Sequence, residues 1–236
     1  MNPYRTLKQE AWEANMDLPR RGVVIYTFGN VSALDRSRGV LAIKPSGIPY
    51  EELKADDMVV VDLENRVVDG KLNPSSDTRT HTVLYRRFTA IGGVAHTHSC
   101  YATAWAQAGR AIPVYGTTHA DHLASDIPCT AMMVDSAIRG DYEEETGNQI
   151  LAAFRDLNPD EVQMALVAGH GPFTWGDSAG RAVYNAVILE ELAKMAYLTE
   201  RIRPDTPRLK QTLIDKHYFR KHGRDAYYGP PKSVKG

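Results

Sequence analysis

The chain has 236 residues, a net charge of −1 and two cysteines. A nearly neutral chain lacks the basic footprint of a nucleic-acid or anionic-membrane binder. No apolar run approaches the roughly 18 residues of a membrane span, and two cysteines cannot build a disulfide framework. With 43% hydrophobic and 24% charged residues, no repeat and no linker-like stretch, it reads as one cytoplasmic domain, residues 1–236.

Taken in chain order, Leu7, Ala11, Trp12, Ala14 and Leu18 have helical spacing, and Pro19 with Gly22 is expected to end that helix. Val23 to Tyr26 is strand-like. Val31 to Ala33 and Val40 to Ile43 are strands around the polar turn 35–39. Met58 to Leu63 and Val67-Val68 form a hairpin about Glu64-Asn65-Arg66. A helix follows from about Thr80 to Phe88, then an apolar strand ending on histidines, then a small-residue helix from Tyr101 to Ala108. Ile112 to Val114 reads as a short strand, and Gly116 to Asp121 as a polar loop or helix start. Glu143 to Phe154, Ser178 to Arg201 and Leu209 to Lys221 read as helices, with an irregular tail beyond. Hairpins mixed with helices place the chain in the α/β class, as a mainly antiparallel sheet covered by helices.

The densest chemistry lies in Gly92-Gly93-Val94-Ala95-His96-Thr97-His98-Ser99. In extended chain His96 and His98 project to one side, and two imidazoles can take two corners of a metal's shell. The alternative is a pair of hydrogen-bonded surface histidines. A second apolar run, Gln163 to Ala168, leads through Gly169 to His170. Delivered beside the first pair, His170 completes a three-histidine site with an open position, the pattern of catalytic zinc.

Three turns, Gly29-Asn30, Ser46-Gly47 and Ser75-Ser76, each offer backbone N–H groups and a small polar side chain, and Lys44 adds a positive charge. Together they can hold a phosphate without a P-loop; singly, each is a plain turn. Asp77 is a fourth metal ligand, an acid/base, or the N-cap of the helix that follows. His81, one helical turn on, reads as a surface or capping histidine, and Cys100 as a buried thiol. Asp121 is a general base or an exposed helix-start aspartate. His217, Arg220, His222 and Tyr228 read without further context as a solvated basic tail.

The ordered set Gly29-Asn30-Val31-Ser32, Lys44-Pro45-Ser46-Gly47, Pro74-Ser75-Ser76-Asp77-Thr78, His96-Thr97-His98-Ser99, Gly116-Thr117-Thr118-His119-Ala120-Asp121 and His170-Gly171-Pro172-Phe173 resembles the class II sugar-phosphate aldolase/epimerase family. The resemblance is nearest to its pentulose-phosphate 4-epimerases, and it continues through Asp215-Lys216-His217-Tyr218 to Ala226-Tyr227-Tyr228-Gly229. It implies a three-layer α/β/α sandwich. It implies one divalent ion per subunit, zinc with manganese or cobalt as alternatives, at His96, His98 and His170 with Asp77. It implies a phosphate pocket from Gly29, Asn30, Lys44, Ser46, Gly47, Ser75 and Ser76. Asp121 and Tyr228 are the implied proton carriers, with Thr117, Glu143, His217 and Arg220 in support. The implied assembly is a cyclic homotetramer in which the C-terminal tyrosine enters a neighbour's site, and the implied substrate is a pentulose phosphate. Aldolase relatives carry Glu where Asp77 stands. The chain departs from the pattern at Ala168, where the family often has a further histidine.

Overall fold

The structure is a computed structural model that describes residues 2–222 and 226–227. The helix α1 (Arg5–Arg20) buries Leu7, Ala11, Ala14 and Leu18 along one stripe, as an amphipathic helix must. Pro19 lies inside its last turn rather than ending it. The break is made by Gly22 at φ +70°, a left-handed cap that glycine takes without steric cost.

Among the described residues seven strands form one antiparallel sheet: β1 (Asn30–Asp35), β2 (Val40–Ile43), β3 (Val59–Asp62), β4 (Val67–Asp69), β5 (Gly93–His96), β6 (Met164–Val167) and β7 (Gly171–Gly176), in the order β4-β3-β2-β1-β5-β7-β6. Both sides of β1 are taken, by β2 and β5. Val23 to Tyr26, expected as a strand, is therefore irregular: Phe28 N–H donates to Ile25 O across a turn, and Ile25 and Tyr26 are exposed. The segment Ile112 to Val114 is likewise no strand and makes one isolated bridge, Ile112 to Ile127. By contrast β7, a stretch assigned no element from its sequence, is an interior strand between β5 and β6 despite Gly171, Pro172 and Gly176.

Side chains alternate across the sheet. Val40, Ala42 and Val60 join one core with α1, while Leu41, Ile43, Val59 and Val61 join the other. The first core also holds Ala179, Ala182 and Val183 of α7 (Ala179–Ile202). The second holds Leu84, Tyr85 and Phe88 on or next to α2 (Thr78–Arg87), Ile150 of α6 (Tyr142–Ala153), and Trp105 of α3 (Cys100–Gln107). The result is the expected α/β/α sandwich on an antiparallel sheet. Two short helices, α4 (Thr117–Ala120) and α5 (Asp135–Ile138), the late helix α8 (Gln211–Lys221) and a 3-10 turn at Ala55–Asp57 complete the described elements. No helix among the described residues is long and apolar enough to cross a membrane.

Candidate metal centre and phosphate pocket

Antiparallel pairing sets the centre. β5 carries His96 opposite Asn30 of β1 and opposite Phe173 of β7. His98 lies two residues past β5, and His170 lies in the turn between β6 and β7. One ligand atom from each of His96, His98 and His170 falls within 4.8 Å of the others. His96 Nδ1–H donates to Pro172 O at 2.9 Å, which leaves Nε2 as the lone-pair nitrogen. That nitrogen stands 3.0 Å from His98 Nε2. The His96 ring is clamped by stacking on Phe173, centroids 4.2 Å apart. Burial pushes the His170 imidazole down to about 4 and also lowers that of His98. Both are neutral at pH 7, the form that ligates metal. A convergent three-imidazole set that runs from buried His96 through half-buried His170 to exposed His98 fits a divalent ion of zinc type with a side open to substrate. Ala168 stands where the resembled family often has a further histidine, and here the Tyr142 hydroxyl lies 3.4 Å from His170 Nδ1.

Asp77 occupies the N-cap position of α2 but makes no capping bond. Its Oδ2 accepts instead from Asn30 Nδ2 at 2.6 Å. Burial alone would raise its pKa; the imidazoles of His96 and His81 and the Asn30 bond outweigh burial and hold it below the usual carboxylate range. The carboxylate thus lies within electrostatic range of the histidines but outside their 4.8 Å ligand group. His81 is not a surface or capping residue. It is fully buried, with Nδ1 2.7 Å from Ser32 Oγ. The i, i+4 geometry that puts it on the Asp77 side of α2 also puts it against β1.

The seven residues Gly29, Asn30, Lys44, Ser46, Gly47, Ser75 and Ser76 all line one cavity of about 280 Å³, with Asp77 on its wall. A bridge between Pro45 and Pro74 ties the two turns together. It consumes part of the expected donor set: Ser46 N–H donates to Asn73 O and Ser75 N–H to Lys44 O. The N–H groups of Gly47 and Ser76 make no hydrogen bond among the described residues, and they remain for an anion. Lys44 is buried, with Nζ 5.0 Å from the centre of the Tyr50 ring, and desolvation lowers its pKa to about 8. Tyr50 was not legible as a site residue. Its hydroxyl donates toward Phe28 O and Gly29 O, each at 3.0 Å, and so fixes the Gly29 turn. An isolated tyrosine after Pro49 carries no sequence signal for that task.

Asp121 ends α4 and is met by α8. Its carboxylate accepts from Arg220 in a two-pronged pair at 2.9 and 3.0 Å, lies 3.0 Å from His217 Nδ1, and pairs with Lys221 at 3.2 Å. His222 Nε2 is 3.0 Å from the Asp121 carbonyl. These residues are a docked cluster, not a solvated tail. Burial opposes ionisation of Asp121, but His217, Lys221 and Arg220 win and lower its pKa. None of its described partners belongs to the histidine centre or the phosphate cavity. Tyr228 lies outside the described residues. Cys100, expected as a buried thiol, is exposed at the start of α3, because the buried side of that helix is formed by Ala102, Trp105 and Ala106.

The fold is shared with proteins of known structure. An L-fuculose 1-phosphate aldolase is similar over 91% of this chain and 95% of its own, with a TM-score of 0.76 and 23% identity. YgbL from Escherichia coli, a putative aldolase/epimerase/decarboxylase, is similar over 90% and 97%, with a TM-score of 0.71 and 23% identity. The L-fuculose-1-phosphate aldolase of Thermus thermophilus is similar over 86% and 98%, with a TM-score of 0.65 and 23% identity. At these identities the likeness is one of fold. The sequence itself matches the family described as class II aldolase and adducin N-terminal domain over residues 9–197. With that match running from α1 to the C-terminal part of α7, through all three histidines and the phosphate turns, the chain belongs to the class II aldolase and adducin N-terminal domain family.

Proposed function

We propose that this protein is a metal-dependent 4-epimerase that interconverts L-ribulose 5-phosphate and D-xylulose 5-phosphate. The observation that carries the reading is the joining, on one cavity wall, of the phosphate turns and Lys44 to Asp77 beside three convergent histidines. Asp77 itself favours an epimerase over an aldolase, since the resemblance assigns aldolases a glutamate there.

The C4 proton of ribulose 5-phosphate is not adjacent to the C2 carbonyl, so deprotonation cannot invert C4. Cleavage of C3–C4 can, giving an enediolate and glycolaldehyde phosphate that recombine after the aldehyde turns over. A divalent ion held by His96, His98 and His170 would supply Lewis-acid stabilisation of the charge on the C2 and C3 oxygens. Lys44, the hydroxyls of Ser46 and Ser76, and the N–H groups of Gly47 and Ser76 hold the phosphate, so that the aldehyde fragment stays. Asp121, ionised at neutral pH, takes the C4 hydroxyl proton on one face, and Tyr228 serves the other. His217 and Arg220 position Asp121. Because the partners of Asp121 among the described residues lie on its own α4–α8 cluster, a neighbouring copy in a cyclic tetramer is the natural source of that second half of the site.

The test is incubation of the metal-loaded protein with L-ribulose 5-phosphate, with D-xylulose 5-phosphate and free glycolaldehyde phosphate both assayed. The pentulose should accumulate without the free aldehyde. Free aldehyde as the main product would make the protein an aldolase, and neither product would make it a binding module.

A further inference from the structure

Behind the metal centre runs a second buried chain of polar groups. Ser32 and Asn30 lie on one face of β1, two residues apart, and Asp77 and His81 lie one turn apart at the start of α2. Two strand residues span about 6.6 Å and four helix residues about 6 Å, so the two pairs meet rung for rung: Asn30 with Asp77 at 2.6 Å, and Ser32 with His81 at 2.7 Å. Ser32 Oγ is also 2.8 Å from Tyr85 Oη.

Proton bookkeeping orients this chain. The single Tyr85 hydroxyl proton has two acceptors in reach, Ser32 Oγ at 2.8 Å and Ser32 O at 3.1 Å. Given to the nearer, it leaves the Ser32 proton for His81 Nδ1, and the one ring proton of a neutral imidazole then sits on Nε2. His81 Nε2 is buried and has no hydrogen-bond partner among the described residues. A donor in that place calls for an acceptor, and a carboxylate is an acceptor only. Asp77 lies four residues before His81, on the same side of α2, with its carboxylate held by Asn30 on the neighbouring rung of β1. With its Nδ1–H given to Pro172, His96 keeps its lone pair on Nε2, which faces His98 in the metal group at 3.0 Å, so Asp77 is the acceptor left for His81.

We infer that His81 is a positioning residue for Asp77: the Tyr85–Ser32–His81 chain fixes the Nε2–H tautomer and directs that proton at the Asp77 carboxylate, holding it toward the metal centre. This rests on the reading of Asp77 as part of the metal and substrate site. Asn30 holds the carboxylate from the phosphate side at 2.6 Å, and the inferred His81 contact is the one that would satisfy the unpaired Nε2 on the core side.

The test uses no sugar phosphate. Long-range ¹H–¹⁵N spectra of the histidine rings, with His81 assigned from its loss in His81→Gln, should show the Nε2–H tautomer. Ser32→Ala, which keeps the ring but removes the donor to Nδ1, should shift it toward Nδ1–H. Zinc affinity, measured against a chromophoric chelator, should fall roughly tenfold in Ser32→Ala, the low end for groups that orient ligands. In an Asp77→Asn background Ser32→Ala should cost nothing further. An Nδ1–H tautomer in the unaltered protein, an unchanged affinity, or an equal loss in both backgrounds would overturn the inference. If Ser32→Ala does not fold, Tyr85→Phe cuts the chain one link earlier and is judged by the same readouts. A failed epimerase assay with these results intact would count against the proposed reaction and not against His81.

Discussion

Gly29 passes so close to His96 that a Cβ on it would stand 2.8 Å from the His96 carbonyl oxygen and 2.7 Å from Val24 Cγ1. The residue also has φ +76°, where an L side chain is strained. The phosphate turn and the metal strand are therefore in direct backbone contact, and a shift in one moves the other. Gly29→Ala should destabilise the fold by about 1–3 kcal/mol, the usual cost of a forced backbone or clash. Gly47→Ala has a similar φ of +74° but open space around its Cβ, so it should cost only about 1–2 kcal/mol. Urea midpoints compare the two, and equal losses would mean that the contact with His96 is not felt.

Lys44 should be the main electrostatic anchor for a phosphate ester. Lys44→Met should raise KM for the phosphorylated sugar well above its effect on kcat, and activity on the free sugar should not improve on that of the unaltered protein. The pH dependence has two opposed parts. Desolvation places the folded-state pKa at about 8, below the ordinary lysine value of 10.5. Between these values the unfolded chain holds more protons than the fold, so this group makes stability rise with pH across that window. Phosphate retention should do the reverse and weaken as pH climbs through 8. A KM that is flat from pH 7 to 9 would remove Lys44 from the pocket.

Glu190 of α7 accepts from the backbone N–H groups of Tyr101 and Ala102, both at 2.9 Å. It thus caps α3, where Ser99 at the N-cap position makes no capping bond. Glu190→Ala should cost about 1–3 kcal/mol by denaturant midpoint, the range for a lost cap with charged hydrogen bonds. Because α3 begins two residues after His98, the same variant should also hold zinc less tightly. Unchanged metal affinity would mean that the α3 terminus is fixed by its packing alone.

Asp121→Asn and Tyr228→Phe should each lower epimerisation by roughly 10²–10⁴, the usual worth of a general acid or base, with fold and assembly intact. The subunit question is separable. Mixing Tyr228→Phe with His98→Asn subunits should restore part of the activity, since some mixed sites would combine an intact metal centre with an intact tail. No recovery in verified mixed oligomers would place Tyr228 in its own subunit's site or outside catalysis.

Local sequence was enough for the elements whose own pattern decides them. The amphipathic spacing of α1 and α7, the hairpins at 30–43 and 59–69, the His-x-His strand end and the three small-polar turns are all readable because burial period, turn chemistry and ligand chemistry are short-range properties of the chain. Only the tertiary structure decided the rest. β7 is a strand because it lies between β5 and β6, whose ladders overrule its Gly and Pro. Val23 to Tyr26 is not one because β1 has no free edge to offer it. His81 is buried because the helix turn after Asp77 meets β1, and sequence spacing alone cannot say which side of a helix faces the core when threonines and a histidine share it. Asp121 finds Arg220, 99 positions along, through the docking of α8, a long-range contact that no local pattern encodes. A side chain's chemistry is carried by its own residue, but its partner is chosen by packing, and packing is a property of the whole fold.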